Sequence, residues 1–151
     1  MKNRKPSILI VDDDESICRT IGLILENEGY RTDSAFSGTE ALEKLEETFY
    51  NAALLDIRLP DVEGPKLLKK LNARSPKTIA IMVTGYPQLE NAIEALNEGA
   101  DAYFVKPVNP DELINVLKKK LEQQKEAETT TEESITKFLE ARTKLLLQES
   151  E

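Results

Sequence analysis

Histidine is absent from all 151 residues, and cysteine occurs once. Without an imidazole the chain has no Ser-His-Asp or Cys-His relay, no His-rich zinc site and no phosphohistidine of its own. The single thiol, Cys18, excludes an internal disulfide and a thiolate zinc cluster. It stands among Ile17, Ile21, Ile24 and Leu25 at helical spacing, where a buried structural thiol is expected. No apolar run approaches the ~20 residues of a membrane span. The opening MKNRKPSILIV also lacks the long apolar region and small-residue cleavage site of a secretion signal, so a cytoplasmic location is expected. Positive charge is in deficit: 20 Lys and Arg against 28 Asp and Glu leave a formal net charge of -8. That balance opposes a grip on nucleic-acid phosphates, so neither nucleic acid nor membrane is an expected partner. Any chemistry must rest on carboxylates, hydroxyls, amines and a metal.

What is present is an alternation of short apolar runs with longer stretches of helical period. Strands are expected at Ser7 to Val11, Tyr30 to Ala35, Ala52 to Leu55, Ile79 to Val83 and Ala102 to Val105. Three of these are nearly unbroken apolar runs, as central strands of a parallel sheet covered on both faces require. Tyr30 to Ala35 is more polar and belongs nearer an edge. Between the strands, Ser37 with Glu40 spells a capping box ahead of Ala41, Leu42 and Leu45. Asn109 caps a helix that opens with Pro110 and carries Leu113, Val116, Leu117 and Leu121 as its stripe. Gly29 and Gly99 fall where helices should stop before strands. Five βα units result, an α/β domain over residues 1–125 with five helices.

After Lys125 the character changes. EAETTTEE is polar and unpatterned and reads as a linker, and ESITKFLEARTKLLLQ regains a stripe through Ile135, Phe138, Leu139, Leu145 and Leu146. Thr130 and Glu133 are spaced for another capping box. Residues 126–151 are thus expected to be a linker and a C-terminal amphipathic helix. A lone helix of that size is marginal in water, so its apolar face docks on its own domain, pairs with another chain or leads toward a further segment.

The strand ends carry the chemistry. In a doubly wound sheet, ligands bind beyond the carboxyl ends of the strands. There the first strand ends in Asp12 and Asp13, the third in Asp56, the fourth in Thr84 and the fifth in Lys106 followed by Pro107. Three carboxylates bring about three negative charges; Lys106 offsets one and a divalent cation the other two. Oxygen ligands without His or Cys select a hard ion, most readily Mg²⁺. Such a site suits phosphoryl transfer, with one carboxylate as nucleophile. A phosphohydrolase of this kind wants a second acid two residues after the nucleophile, and Arg58 stands there instead.

In ILIVDDDES, LLDIRLPDVEG, IMVTG and DAYFVKP, in that order and spacing over about residues 6–122, the chain resembles a response regulator receiver domain of two-component signalling, the CheY-like family. The resemblance implies a flavodoxin-like five-stranded parallel sheet of order 2-1-3-4-5. It implies Asp56 as acceptor of a phosphoryl group from a partner histidine kinase or phosphotransfer protein. Mg²⁺ would be held by Asp12, Asp13, Asp56 and the backbone carbonyl of Arg58. Thr84 and Lys106 would bind phosphoryl oxygens, and Tyr103 would be the switch aromatic. Asp14 has no ligand role there and reads as a cap or first-turn acid. Arg58 and Tyr86 occupy positions that modulate hydrolytic water, implying a long-lived acyl phosphate. The output expected is a switched contact with a downstream protein, with a homodimer through the C-terminal helix or the fourth and fifth βα units as a further possibility and no DNA-binding domain in this chain.

Overall fold

Along β1 (Ser7–Val11) the side chains divide by parity: Ile8 and Ile10 join one apolar cluster and Leu9 and Val11 the other. The same split recurs in β3 (Ala52–Asp56) and β4 (Ile79–Thr84), both buried along their whole length. Strands buried on two faces need no polar alternation, which is why they appear in the sequence as continuous apolar runs. The computed structural model describes residues 5–85, 97 and 99–149. With β2 (Arg31–Ala35) and β5 (Ala102–Val105), the strands form one five-stranded parallel sheet of order β2-β1-β3-β4-β5. The polar strand β2 is at the edge, as its composition predicts.

Helix α1 (Glu15–Asn27) and the first turns of α4 (Pro110–Glu149) cover one face through Cys18, Leu25, Leu113, Leu117 and Leu121. Helices α2 (Gly38–Glu47) and α3 (Gly64–Arg74) cover the other through Ala41, Leu45, Leu67, Leu68 and Leu71. Of the five helices expected, these four lie among the described residues, and the stretch joining β4 to β5 falls almost wholly outside them. The caps at Ser37 and Asn109 sit where the sequence places them. Glu40 N–H donates to Ser37 Oγ, while the Glu40 carboxylate accepts from Phe36 N–H rather than from Ser37 itself. Asn109 Oδ1 accepts from the amides of Asp111 and Glu112. Gly29, at φ 95°, takes the left-handed conformation that ends α1.

The C-terminal segment differs from expectation. Residues 126–133, read as a linker, are helical, and α4 runs unbroken for 40 residues. Thr130 therefore caps nothing. No Gly or Pro follows Pro110 in this helix, and Glu, Gln, Lys and Ala are good helix formers. The threonines compete little with it, because Thr129, Thr131 and Thr143 hydroxyls donate to carbonyls four residues back. Among the described residues, the last side-chain hydrogen bonds from this helix to the domain are those of Gln124, whose side-chain amide donates to Asn51 O and Lys77 O and accepts from Asn51 Nδ2. Every described side chain from Lys125 to Gln148 is exposed.

Candidate functional site: an acidic pocket closed by one lysine

Parallel strands that start in register also finish together, and β1, β3, β4 and β5 deliver their last residues to one edge of the sheet. Asp12, Asp13 and Asp56 arrive with carboxylate oxygens all within 4.8 Å of one another. Asp12 and Asp56 are buried, at 4% and 7% exposure, while Asp13 faces solvent. Lys106 comes from the far side of the sheet: its Nζ stands 2.6 Å from Asp12 Oδ2 and 3.4 Å from Asp56 Oδ2. Thr84 is fully buried at the end of β4, and its carbonyl accepts from Lys106 N–H at 2.7 Å. The Lys106-Pro107 peptide is cis.

Local hydrogen bonds fix these groups. Asp12 Oδ1 accepts from Asp14 N–H at 2.9 Å, so this carboxylate turns inward. Asp14 is the N-cap of α1, accepting from the amides of Ser16 and Ile17, so the third acid of the run serves the helix and not the pocket. Asp56 Oδ1 accepts from Arg58 N–H at 3.3 Å, folding the β3–α3 loop back over the strand end. That loop closes tightly: Gly64 N–H donates to Ile57 O at 2.7 Å, and a Cβ on Gly64 would stand 2.6 Å from Ile57 Cα.

Burial pushes the Asp56 pKa up, the neighbouring Asp12 charge adds to it, and Lys106 with the Arg58 amide pulls the other way. Lys106 is held above its ordinary value: burial lowers it, and the two carboxylates outweigh that. An all-oxygen donor set of three carboxylates with one ammonium suits a hard divalent cation. Cys18 lies beneath the pocket with Sγ 3.4 Å from Asp12 O, and burial pushes its pKa to about 11, an inert structural thiol as expected.

Tyr103, paired in register with Met82, packs against the α2–α3 side of the core. Its hydroxyl is buried without a hydrogen-bond partner among the described residues, and burial raises its pKa. Tyr86 lies outside the described residues. The structure thus gathers Asp12, Asp13, Asp56 and Lys106 into one pocket, sets Thr84 and the Arg58 backbone at its wall, and puts Tyr103 one strand residue-pair behind.

Sequence reading passed over Asp61. From the β3–α3 loop its carboxylate accepts from the amides of Gly38 and Thr39, each at 2.8 Å, and from Thr39 Oγ1 at 2.6 Å. These bonds hold its pKa down at about 2. It ties the loop after Asp56 to the start of α2. The only signal was LPDVEG itself, which does not name a partner more than twenty residues away.

The response regulator receiver domain family model matches residues 8–118. Among curated proteins, the transcriptional regulatory protein ZraR of Escherichia coli K12 is 38% identical over 76% of this chain and 26% of its own length. The regulatory protein AtoC of the same organism is 35% identical over 78% of this chain and 25% of its own. The chain thus spans about a quarter of the length of these relatives. Among solved structures, a CheY-like response regulator receiver domain protein from Methanospirillum hungatei is 48% identical, with a TM-score of 0.80 over 82% of this chain and 99% of that one. A beryllofluoride-activated NtrC4 receiver domain dimer is 32% identical, with a TM-score of 0.75 over 78% of this chain and 98% of that one. Sheet order, strand-end acids and matched sequence agree over the same stretch of chain, and by that agreement this protein belongs to the response regulator receiver domain family.

Proposed function

We propose that this chain is a phosphoryl-accepting switch: Asp56 takes a phosphoryl group from a phosphohistidine on a sensor kinase or phosphotransfer protein, and the modified domain changes its contact with a downstream protein. Residues 1–125 form the accepting unit, and 126–151 are its appendage. The observation that carries this reading is the pocket in which three carboxylates and one ammonium meet at the ends of three strands.

An Asp56 carboxylate oxygen attacks phosphorus in line, the P–N bond of the donor breaks, and the departing imidazole nitrogen keeps the electron pair and is reprotonated. Asp12, Asp13, Asp56 and the Arg58 carbonyl would hold Mg²⁺, which when bound screens the repulsion between carboxylate and incoming phosphoryl group. Asp14 N–H and Lys106 keep Asp12 oriented toward the pocket. Arg58 N–H does the same for Asp56. After transfer, three phosphoryl oxygens draw in the Lys106 ammonium and the Thr84 hydroxyl. The inward Tyr103 ring follows the threonine, biasing two pre-existing arrangements around β4 and β5.

Acetyl phosphate with Mg²⁺ tests the reading by mass spectrometry of the intact chain. A phosphoryl adduct is expected in the wild type and absent in Asp56→Asn. No adduct with acetyl phosphate or a histidine kinase, or an adduct that persists in Asp56→Asn, would overturn it.

A further inference from the structure

The projecting half of α4 carries an exposed stripe; its first turns, through Ala127, Glu128, Thr131 and Glu132, border an open cleft with residues 76–79 and Asp101, and beyond them every described side chain as far as Gln148 is exposed. Ile135, Phe138, Leu139, Leu145 and Leu146 are 54–68% exposed. From the side-chain placement on this one helix we infer that residues 125–149 pair, antiparallel, with the same segment of a second copy of this chain. The pairing goes beyond the phosphoacceptor reading and does not depend on it.

Orientation follows from where the stripe points. At roughly 100° per residue, Ile135 falls on the azimuth of Leu117, with Phe138, Leu139 and Leu146 within about 60° of it. Leu113, Leu117 and Leu121 are buried against the sheet, so the exposed stripe faces the same side as the domain, beyond its edge. In a parallel, in-register pair the partner's residues 110–124 would need the volume that the sheet already fills. An antiparallel pair sends the partner's domain to the opposite end of the helix, and the stripes meet unobstructed.

Charge supports the same orientation. Counted at roughly 100° per residue between residues 126 and 148, the stripe side carries Glu128 and Glu132 in its first part and Arg142 in its second, while Lys137, Glu140 and Lys144 fall on the opposite side. Parallel pairing sets Glu128 and Glu132 beside their own copies; antiparallel pairing brings Arg142 of one helix toward Glu132 of the other. Arg142, the cation that interrupts the stripe, thereby gains an acidic partner.

The full chain, without phosphoryl donor or Mg²⁺, tests this by sedimentation equilibrium. The expected mass is twice the 17.0 kDa of one chain, returning toward one chain on dilution. Phe138→Asp should give one chain at every concentration while keeping the circular dichroism of a folded domain. Orientation is read by air oxidation, with the buried Cys18 left in place. Thr131→Cys chains alone should not cross-link, and a mixture of Thr131→Cys with Leu146→Cys should cross-link between the two kinds. A single-chain mass throughout for the wild type, a dimer that survives Phe138→Asp, or ready self-linking of Thr131→Cys would each overturn the inference.

Discussion

Lys106→Met removes one charge and leaves the rest of the pocket in place. Methionine is unbranched and of similar length, so it keeps an apolar stem along the path of the lysine's methylenes. What is lost is an ammonium 2.6 Å from Asp12 and 3.4 Å from Asp56, whose side chains are 5% and 8% exposed. Stripping one partner from a buried ion pair costs ~3–5 kcal/mol, and an exposed pair is worth ~0–1 kcal/mol. Lys106 itself is 22% exposed and the Asp56 contact is long, which puts the expected loss at about 2–3 kcal/mol at neutral pH. For a chain of this length that lowers Tm by roughly 4–12 °C. Urea unfolding followed by circular dichroism measures it, with an unchanged m-value expected.

The pH dependence has a definite sign. Asp56 already has a folded-state pKa above its ordinary value, and Lys106 is the charge that restrains it. A carboxylate raised in the folded state favours folding when protonated, and that contribution is lost as pH rises through the folded pKa. The deficit of Lys106→Met should therefore be largest at neutral pH and shrink on acidification toward the ordinary carboxylate range. Adding Mg²⁺ should also narrow it, because the pocket without the Lys106 ammonium is more negative, binds a cation more tightly and so gains more stability from it than the wild type does. A loss below about 1 kcal/mol, or a deficit that grows on acidification, would refute the assignment of Lys106 as the charge that makes this acidic pocket tolerable.

Asp61→Ala should cost about 1 kcal/mol, the usual value of a helix cap. Because its folded pKa is lowered to about 2, the wild-type advantage is present above the ordinary value of 3.8 and lost as pH falls through 2, readable in paired urea midpoints. Gly64→Ala drives a methyl to 2.6 Å from Ile57 Cα, a backbone atom that cannot step aside, and should destabilise by about 1–3 kcal/mol in the same assay. Asp13→Asn should abolish the acetyl phosphate adduct while leaving the unfolding midpoint unchanged or higher, since it removes an exposed charge from a crowded acidic cluster.

The sheet was legible because its central strands are buried on both faces: Ile8 to Val11 and Ile79 to Val83 admit few other readings. The pocket was legible because parallel strands in register place their last residues together, so Asp12, Asp56, Thr84 and Lys106 could be gathered from strand ends alone. What escaped was of two kinds. Asp61 capping α2, and Gln124 bonded to Asn51, are contacts through space between residues 22 and 73 apart, which no local pattern encodes. The continuity of α4 escaped because Thr129, Thr130 and Thr131 read as helix-indifferent, and what decides the matter is the absence of a breaker together with hydroxyls satisfied by carbonyls one turn back.

Gln124 is also a fulcrum. On one side of it the helix lies in the sheet's apolar layer through Leu113, Leu117 and Leu121; on the other, residues 125–149 reach roughly 37 Å, at 1.5 Å each, away from the acidic pocket. A lever of that length multiplies angle into distance. A tilt of about 10° at the root, the work of side-chain repacking at β5, would carry the far end of the arm through roughly 6 Å, more than a full helical turn. Motion too small to rearrange the domain would then be large enough to break or make a contact at the arm's tip.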